Sequence, residues 1–376
     1  MELVVKEAKT RAELKRFVQF AGNLYKDNPY WVPLPFQAEM KLLSKNKNPS
    51  FDFCEAKYFL AYRSEKIVGR VAAILNHAHE EKWGQKYLRF GWLEFVDDPQ
   101  VSAALMGAVQ NWAIEKRITA IHGPLGFTDF DRSGLLVEGF NEMGTMMANY
   151  SQPYYPRHLE KLGYKKDIDW LEYLIEVPEK LDKEIADRAE QILKNNHLRI
   201  FKAEKKKEYL RYTDQLFDLI NESYQNRYGF VPLNQEQLQV YMDSFYPLVN
   251  HKFIALIVDE NDELAAFSIT NPSLSKALQS GGGRLFPNGF FNLIRSINAN
   301  DRAELLLHGV KEKYSGIGMS VVMMIAMLQN FHEFGIKTVE SNPELENDQN
   351  VQIQWRVFEK RQHKRRRCYI KRLTNE

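Results

Sequence analysis

The residues best suited to chemistry lie in one stretch, AELLLHGVKEKYSGIGMSVVMMIAMLQNFHEFGIKTVE, residues 303–340. Gly316 and Gly318 stand where an apolar strand pattern gives way to an apolar helix pattern. Glycines at such a junction let the backbone turn sharply. Several amide N–H groups are then left pointing outward at a helix N-terminus, and the dipole there favours an anion. A phosphate can approach the main chain closely at the same point. Lys313 adds a positive charge beside the turn. Two sharper phosphate motifs are excluded, because no Gly-Lys-Ser/Thr follows and the glycines do not form GxGxxG. An ordinary glycine turn between strand and helix has the same spacing, and the Met-rich run after it reads as core.

Other candidates are more diffuse. In GPLGFTDFDRSGLLVEGF, Asp129, Asp131 and Arg132 suit a polar acceptor or a plain surface turn. Trp31, Tyr30, Phe286 and Phe290 suit either a pocket for an apolar group or a core. The stretch 359–372, EKRQHKRRRCYIKR, is strongly basic. It fits a nucleic-acid contact, or a solvated edge strand whose charges discourage pairing. Cys54 and Cys368 are too few for a disulfide framework or for a zinc site of their own, and they point to a reducing compartment. No metal is implied.

The chain that must position these residues has 376 of them, 44% hydrophobic and 27% charged, with 51 Lys+Arg against 49 Asp+Glu. That balance excludes a disordered chain or a charged tail, and the length predicts two domains. The N-terminus lacks an apolar signal-peptide core, and the best apolar run, Met319–Leu328, is shorter than the ~20 residues of a spanning helix. A soluble cytoplasmic protein is expected.

Periodicity predicts a strand at Glu2–Lys6 and a helix capped by Thr10 with Glu13, a capping-box spacing. A hairpin follows, Tyr58–Arg63 with Ile67–Leu75, then a strand at Phe90–Phe95, a helix within Asp97–Lys116 and a strand at Arg117–Gly123. The second half repeats the order: a helix at Asp214–Tyr228, a hairpin within Lys252–Thr270 and a strand at Ala303–Val310. A helix at Met319–Phe334 and a strand at Ile336–Glu340 complete it, then a helix in ENDQNVQIQWRVFEKR and a last strand CYIKRL. The halves correspond in element order with few identities. The expected division is 1–176, a charged helical connection at 177–208, and 209–376.

Lys313-Tyr-Ser-Gly316-Ile-Gly318 resembles the Q/R-x-x-G-x-G/A acyl-CoA motif of the GNAT acyltransferases, with Lys in first position. YKDNPYWVPL, YFLAYRSEKIVGRVAAI, GPLGFTDFDRSGLLVEGF, PYYPRHLEKLGYKK and ESNPELENDQN extend the resemblance, over nearly the whole chain, to bacterial two-GNAT proteins. The resemblance implies an α/β fold (α+β, mixed sheet) of two GNAT-like domains in tandem. It also implies transfer of an acetyl or other acyl group from acyl-CoA to a small-molecule amine or amino acid.

By the same resemblance, pantetheine would lie between Ala303–Val310 and Ile336–Glu340. The cofactor would be held by Leu307, Val310, Lys313, Ser315, Gly316, Ile317, Gly318 and Met319, with Asn347 or Asn350. Glu304, Glu340 or His308 would serve as base, directly or through water, and strand amides would hold the oxyanion. The tyrosine usually found about seven residues after the family's asparagine is replaced by Val357, leaving Tyr369 or Tyr314 as acid. VDDPQVSAAL in the first half has two aspartates and no glycine turn, so that half is expected not to bind CoA. The basic stretch would contact the CoA 3′-phosphate, or tRNA if the donor were an aminoacyl-tRNA as in similar tandem proteins. A non-catalytic ligand-binding protein of the same fold is the remaining alternative.

Overall fold

The computed structural model describes residues 2–283, 293–297, 300–348 and 355–373. The strands are β1 Leu3–Glu7, β2 Cys54–Arg63, β3 Lys66–Asn76, β4 Tyr87–Phe95, β5 Ala120–Gly123, β6 Leu135–Glu138 and β7 Lys165–Glu176. They continue as β8 Leu198–Phe201, β9 Ile254–Asp259, β10 Leu264–Pro272, β11 Arg302–Val310, β12 Thr338–Glu340, β13 Glu344–Leu345 and β14 Lys360–Arg372. The helices used below are α1 Arg11–Leu24, α2 Phe36–Leu42, α3 His77–Trp83, α4 Pro99–Glu115, α5 Tyr155–Lys161 and α6 Lys183–Asn195. After them come α7 Thr213–Tyr224, α8 Gln235–Phe245, α9 Ser275–Ser280 and α10 Met319–Glu333.

All the strands join one mixed sheet, whose main path runs β1-β2-β3-β4-β5-β14-β7-β12-β11-β10-β9-β8. The path reads as a palindrome: β1 to β5 on one side answer β8 to β12 on the other, and β14 answers β7 at the centre. Among the described residues, the only parallel ladders along it are β4 with β5 and β11 with β12, again at matching positions. The repeat in element order thus becomes a pseudo-two-fold axis through the sheet.

Local chemistry starts the elements where expected. Thr10 and Glu13 form a complete capping box on α1. Asp98 caps α4, with proline in its first turn. The α10 helix begins at Gly318, whose φ of 99° is a conformation that glycine tolerates without strain. Each half buries one long apolar helix on its sheet: Leu105, Val109 and Trp112 of α4 in one core, and Met323, Met327 and Phe331 of α10 in the other. Burying each such side chain contributes about 1.5–3 kcal/mol.

The centre departs from expectation. The basic stretch is no edge strand: β14 lies between β5 and β7, and Lys364 and Arg366 are each 1% exposed. Several of its cations pair with carboxylates, of which Glu340, Glu172 and Asp169 are internal. Lys364 pairs with Glu340, Arg366 with Glu172, Arg367 with Asp169 and Arg361 with Glu142. The helix expected in 346–361 is absent from its described part, where 346–347 and 355–357 are turns and β14 has begun by Lys360; the intervening 349–354 lie outside the described residues. We propose 1–176, 177–208 and 209–376 as the chain's units. Their last strands are exchanged, since β7 pairs with β12 of the second half and β14 with β5 of the first. The 177–208 connection also supplies β8, which pairs with β9.

Candidate functional site

The β11–β12 ladder pairs Arg302 with Thr338, Ala303 with Val339 and Glu304 with Glu340, then stops while β11 runs on to Val310. The strands therefore part just beyond the two glutamates. At the parting β11 bulges: Ile269 pairs with Leu307 and Thr270 with Leu305, leaving Leu306 unmatched. Bulges re-aim backbone groups and recur beside active sites. Asn342 Nδ2 donates to the Leu306 carbonyl at 2.9 Å and so ties the strand ends together.

Glu304 is buried and lines a cavity of about 10 Å³, with room for roughly one water, beside Leu306, Asn271 and Phe245. Ser275 Oγ donates to its Oε1 at 3.0 Å, and Ser273 Oγ donates to the same atom. Burial pushes its pKa up to about 7, helped by the neighbouring Glu340 charge, while the two serines oppose the rise. Burial would raise Glu340 too, but the Lys364 ammonium and His363 outweigh it and hold that carboxyl below the usual range. Two carboxylates in register are thus split into an ionised one and one poised near neutrality.

The turn ahead of α10 is open. Ser315 and Gly316 are exposed, Gly318 carries no side-chain cap, and a Cβ on Gly316 would meet nothing within 4 Å. Among the described residues, no hydrogen bond satisfies the amides of Gly316, Ile317, Gly318 or Met319. Lys313 is exposed, with its ammonium 4.6 Å from the Tyr314 ring centroid. Leu307, Val310 and Ile317 are half-buried, and Met319 is buried in the second core.

Other candidates fall elsewhere. His308 Nε2 lies 3.3 Å from Ser320 Oγ in the first turn of α10, and burial with the Arg227 charge pushes its pKa down to about 4. It sits by the turn and not by Glu304. Tyr369 is in the first-half core, paired with Gly123 and donating to Glu160 at 3.1 Å, so the tertiary structure separates it from this site. Tyr314 is buried in the second core. Asn347 is exposed in a turn after β13, and Asn350, Phe286 and Phe290 lie outside the described residues. Sequence reasoning missed Ser273, Ser275, Asn342, His363 and Lys364. Only Asn342, just past the last strand of the stretch, carried a legible signal.

A larger cavity, about 130 Å³, lies beside this site. Trp31, Leu34, Leu42, Phe130, Val240 and Tyr241 supply apolar wall, and Met146 and Phe245 line both cavities. Asp131 and Arg132 also line it, Asp131 accepting from the amides of Phe127 and Thr128. Burial pushes Asp131 up to about 6 against those amides. Tyr30 does not line the cavity but packs in the apolar cluster of Ala21, Trp31 and Tyr150, which do.

The first half repeats the geometry with different residues. The β4–β5 ladder pairs Tyr87 with Ala120, Leu88 with Ile121 and Arg89 with His122, so Arg89 and His122 occupy the places of Glu304 and Glu340. At the start of α4, Asp98 Oδ1 accepts from the Gln100 amide at 2.9 Å, so a carboxylate of the chain already fills the anion position.

Known proteins share this architecture. A tandem GNAT protein from the clavulanic acid biosynthesis pathway superposes with a TM-score of 0.55 at 12% identity, covering 100% of both chains. The chain has a tandem GNAT fold. A probable N-acyltransferase from Enterococcus faecalis V583 aligns with a TM-score of 0.54 at 10% identity, over 99% of this chain and 73% of that one. In sequence, Protein YghO of Escherichia coli (strain K12) is 29% identical over 368 residues, 96% of this chain and 93% of the relative. A bacterial ceramide synthase of Caulobacter vibrioides (strain NA1000 / CB15N) is 25% identical over 316 residues, 83% and 82% of the two. No family model matches the chain.

Proposed function

We propose that this tandem GNAT protein is an acyl-CoA-dependent N-acyltransferase whose reaction takes place in its second half. The diphosphate of acyl-CoA lies on the amides of Gly316–Met319, and the thioester lies where β11 and β12 part. The acceptor amine attacks the thioester carbonyl. Its nitrogen forms the new C–N bond, the C–S bond breaks, and CoA leaves as thiolate to be protonated by water. Glu304 takes the amine proton, directly or through the one water its cavity accommodates. Glu340, held ionised by Lys364, keeps Glu304 a strong enough base near neutral pH.

The observation that carries this reading is Glu304. A carboxyl with a pKa of about 7 stands on the strand that runs directly to an uncapped helix start, at the point where the paired strands separate. The apolar cavity favours an acceptor or acyl group with a long hydrocarbon portion, in keeping with the name of the Caulobacter relative. A tRNA donor is not favoured, because Lys364, Arg366 and Arg367 of the basic strand are spent on internal carboxylates.

The test is thiol release from acetyl-CoA and from long-chain acyl-CoAs, screened over small and long-chain amines. Turnover lost in Glu304→Gln with acyl-CoA affinity kept supports the assignment. An inactive wild type that binds no acyl-CoA at 1 mM overturns it; at that concentration even a site worth about 4 kcal/mol is half filled.

A further inference from the structure

A second constellation lies in the first half, away from Glu304. We propose that His122, Asp167 and Cys368, with the Tyr228 hydroxyl as fourth donor, form a site for a zinc-class divalent metal ion. The three residues come from adjacent strands β5, β7 and β14, and their donor atoms all lie within 4.8 Å of one another. His122 and Cys368 are buried, while Asp167 is exposed and leaves the site an opening.

Two independent features converge on this point. First, Asp167 is a bulge residue: β14 pairs Cys368 with Ile168 and Tyr369 with Lys166, passing Asp167 over. A bulge turns a side chain out of the strand's alternation, here toward the other two donors. Second, one hydroxyl touches all three residues. Tyr228 Oη lies 3.2 Å from His122 Nδ1 and 3.5 Å from Cys368 Sγ, and it donates to Asp167.

The pseudo-two-fold supplies the reason to expect a cation. Taking Trp170 and Arg366 as counterparts at the centre of the β7–β14 ladder, His122, Asp167 and Cys368 correspond to Glu340, His363 and Glu172. Those residues form the matching cluster in the second half, and His363 is likewise passed over between Gln362 and Lys364. There the Lys364 ammonium sits between Glu172 and Glu340 as an internal cation. The counterpart of Lys364 is Ile168, so the first half has the cluster without the ammonium. Arg89 lies nearby and keeps its charge, since its donors go to the neutral carbonyls of Gly126, Phe127 and Gly229, so the ion binds beside a guanidinium. Sulfur, nitrogen and oxygen donors together select zinc or cobalt over magnesium or calcium. Binding converts the Cys368 thiol to a thiolate and releases its proton, so thiolate and Asp167 carboxylate balance the dication.

The test is titration of the metal-free full-length chain with Co²⁺ and then Zn²⁺, followed by absorbance. We expect one equivalent of cobalt with a thiolate charge-transfer band in the near ultraviolet, bleached by one equivalent of zinc. Cys368→Ser and His122→Ala should lose the band, and Cys54→Ser should keep it. Asp167→Asn, at an exposed position, should weaken affinity about tenfold or more. Absence of cobalt binding by the folded wild type, or a band that survives Cys368→Ser, overturns the proposal. An unchanged affinity in Asp167→Asn removes Asp167 from the ligand set and thereby refutes the site as stated.

Discussion

The two halves hold their parting strands and long helices in the same places and fill them with opposite chemistry. In the second half the parting carries two glutamates, and the helix start is a bare glycine turn. In the first half the parting carries Arg89 and His122, and Asp98 closes the helix start. A backbone scaffold is therefore not a site. An anion-binding helix start needs free amides and no competing carboxylate. A base needs a carboxyl whose neighbours leave it near neutrality. One aspartate at a helix cap and one pair of side chains across a ladder suffice to separate the half we propose to hold acyl-CoA from the other.

The contrast can be broken most severely at the turn. Gly316→Glu places a charged residue at a φ of 77° on the proposed diphosphate seat, and we expect acyl-CoA affinity measured by calorimetry to fall at least about a hundredfold. Glu304→Gln should lower kcat by about 10²–10⁴-fold with little change in acyl-CoA affinity. Lys364→Met leaves Glu340 and Glu172 buried without their ammonium and should cost about 3–5 kcal/mol in denaturant unfolding.

A subtler expectation concerns pH. The proposed base Glu304 would act only when ionised, so kcat/KM should rise with pH through about 7 and then level off. Because its folded pKa is raised, the native state holds a proton there that the unfolded chain releases between about 4.5 and 7. Glu304 therefore lowers stability as pH climbs through that window. Glu304→Gln should remove this loss, leaving an inactive protein that is more stable than wild type at pH 8 by on the order of 1–3 kcal/mol. The smallest effect belongs to the closed half. Asp98→Ala should cost about 1 kcal/mol as a lost cap and leave acyl-CoA affinity unchanged. A gain in affinity there would show that the aspartate alone keeps the first half silent.

Much of the scaffold was legible because its signals are local. Thr10 with Glu13, the hairpin of β2 and β3, Gly318 before α10 and the repeated element order all follow from nearest-neighbour propensity and period. The turn at 313–319 was legible for the same reason. Glu304 and Glu340 could be named from the strands that carry them, but not their division of labour, which depends on Ser273, Ser275, His363 and Lys364 arriving from distant segments. Tyr369 illustrates the opposite failure. It was placed near the reaction by sequence distance, but β14 crosses to the first half and buries it there.

The sequence alone determined a two-fold repeated mixed α/β chain and the one glycine turn with free amides, because capping, turn and periodicity rules act over a few residues. The tertiary structure decided that the basic stretch is an interior strand beside β7, and that Glu304 and Glu340 have their pKa values pushed in opposite directions. Those outcomes depend on burial and on charges brought together across the chain, and low-dielectric interactions of that kind have no signature in local spacing.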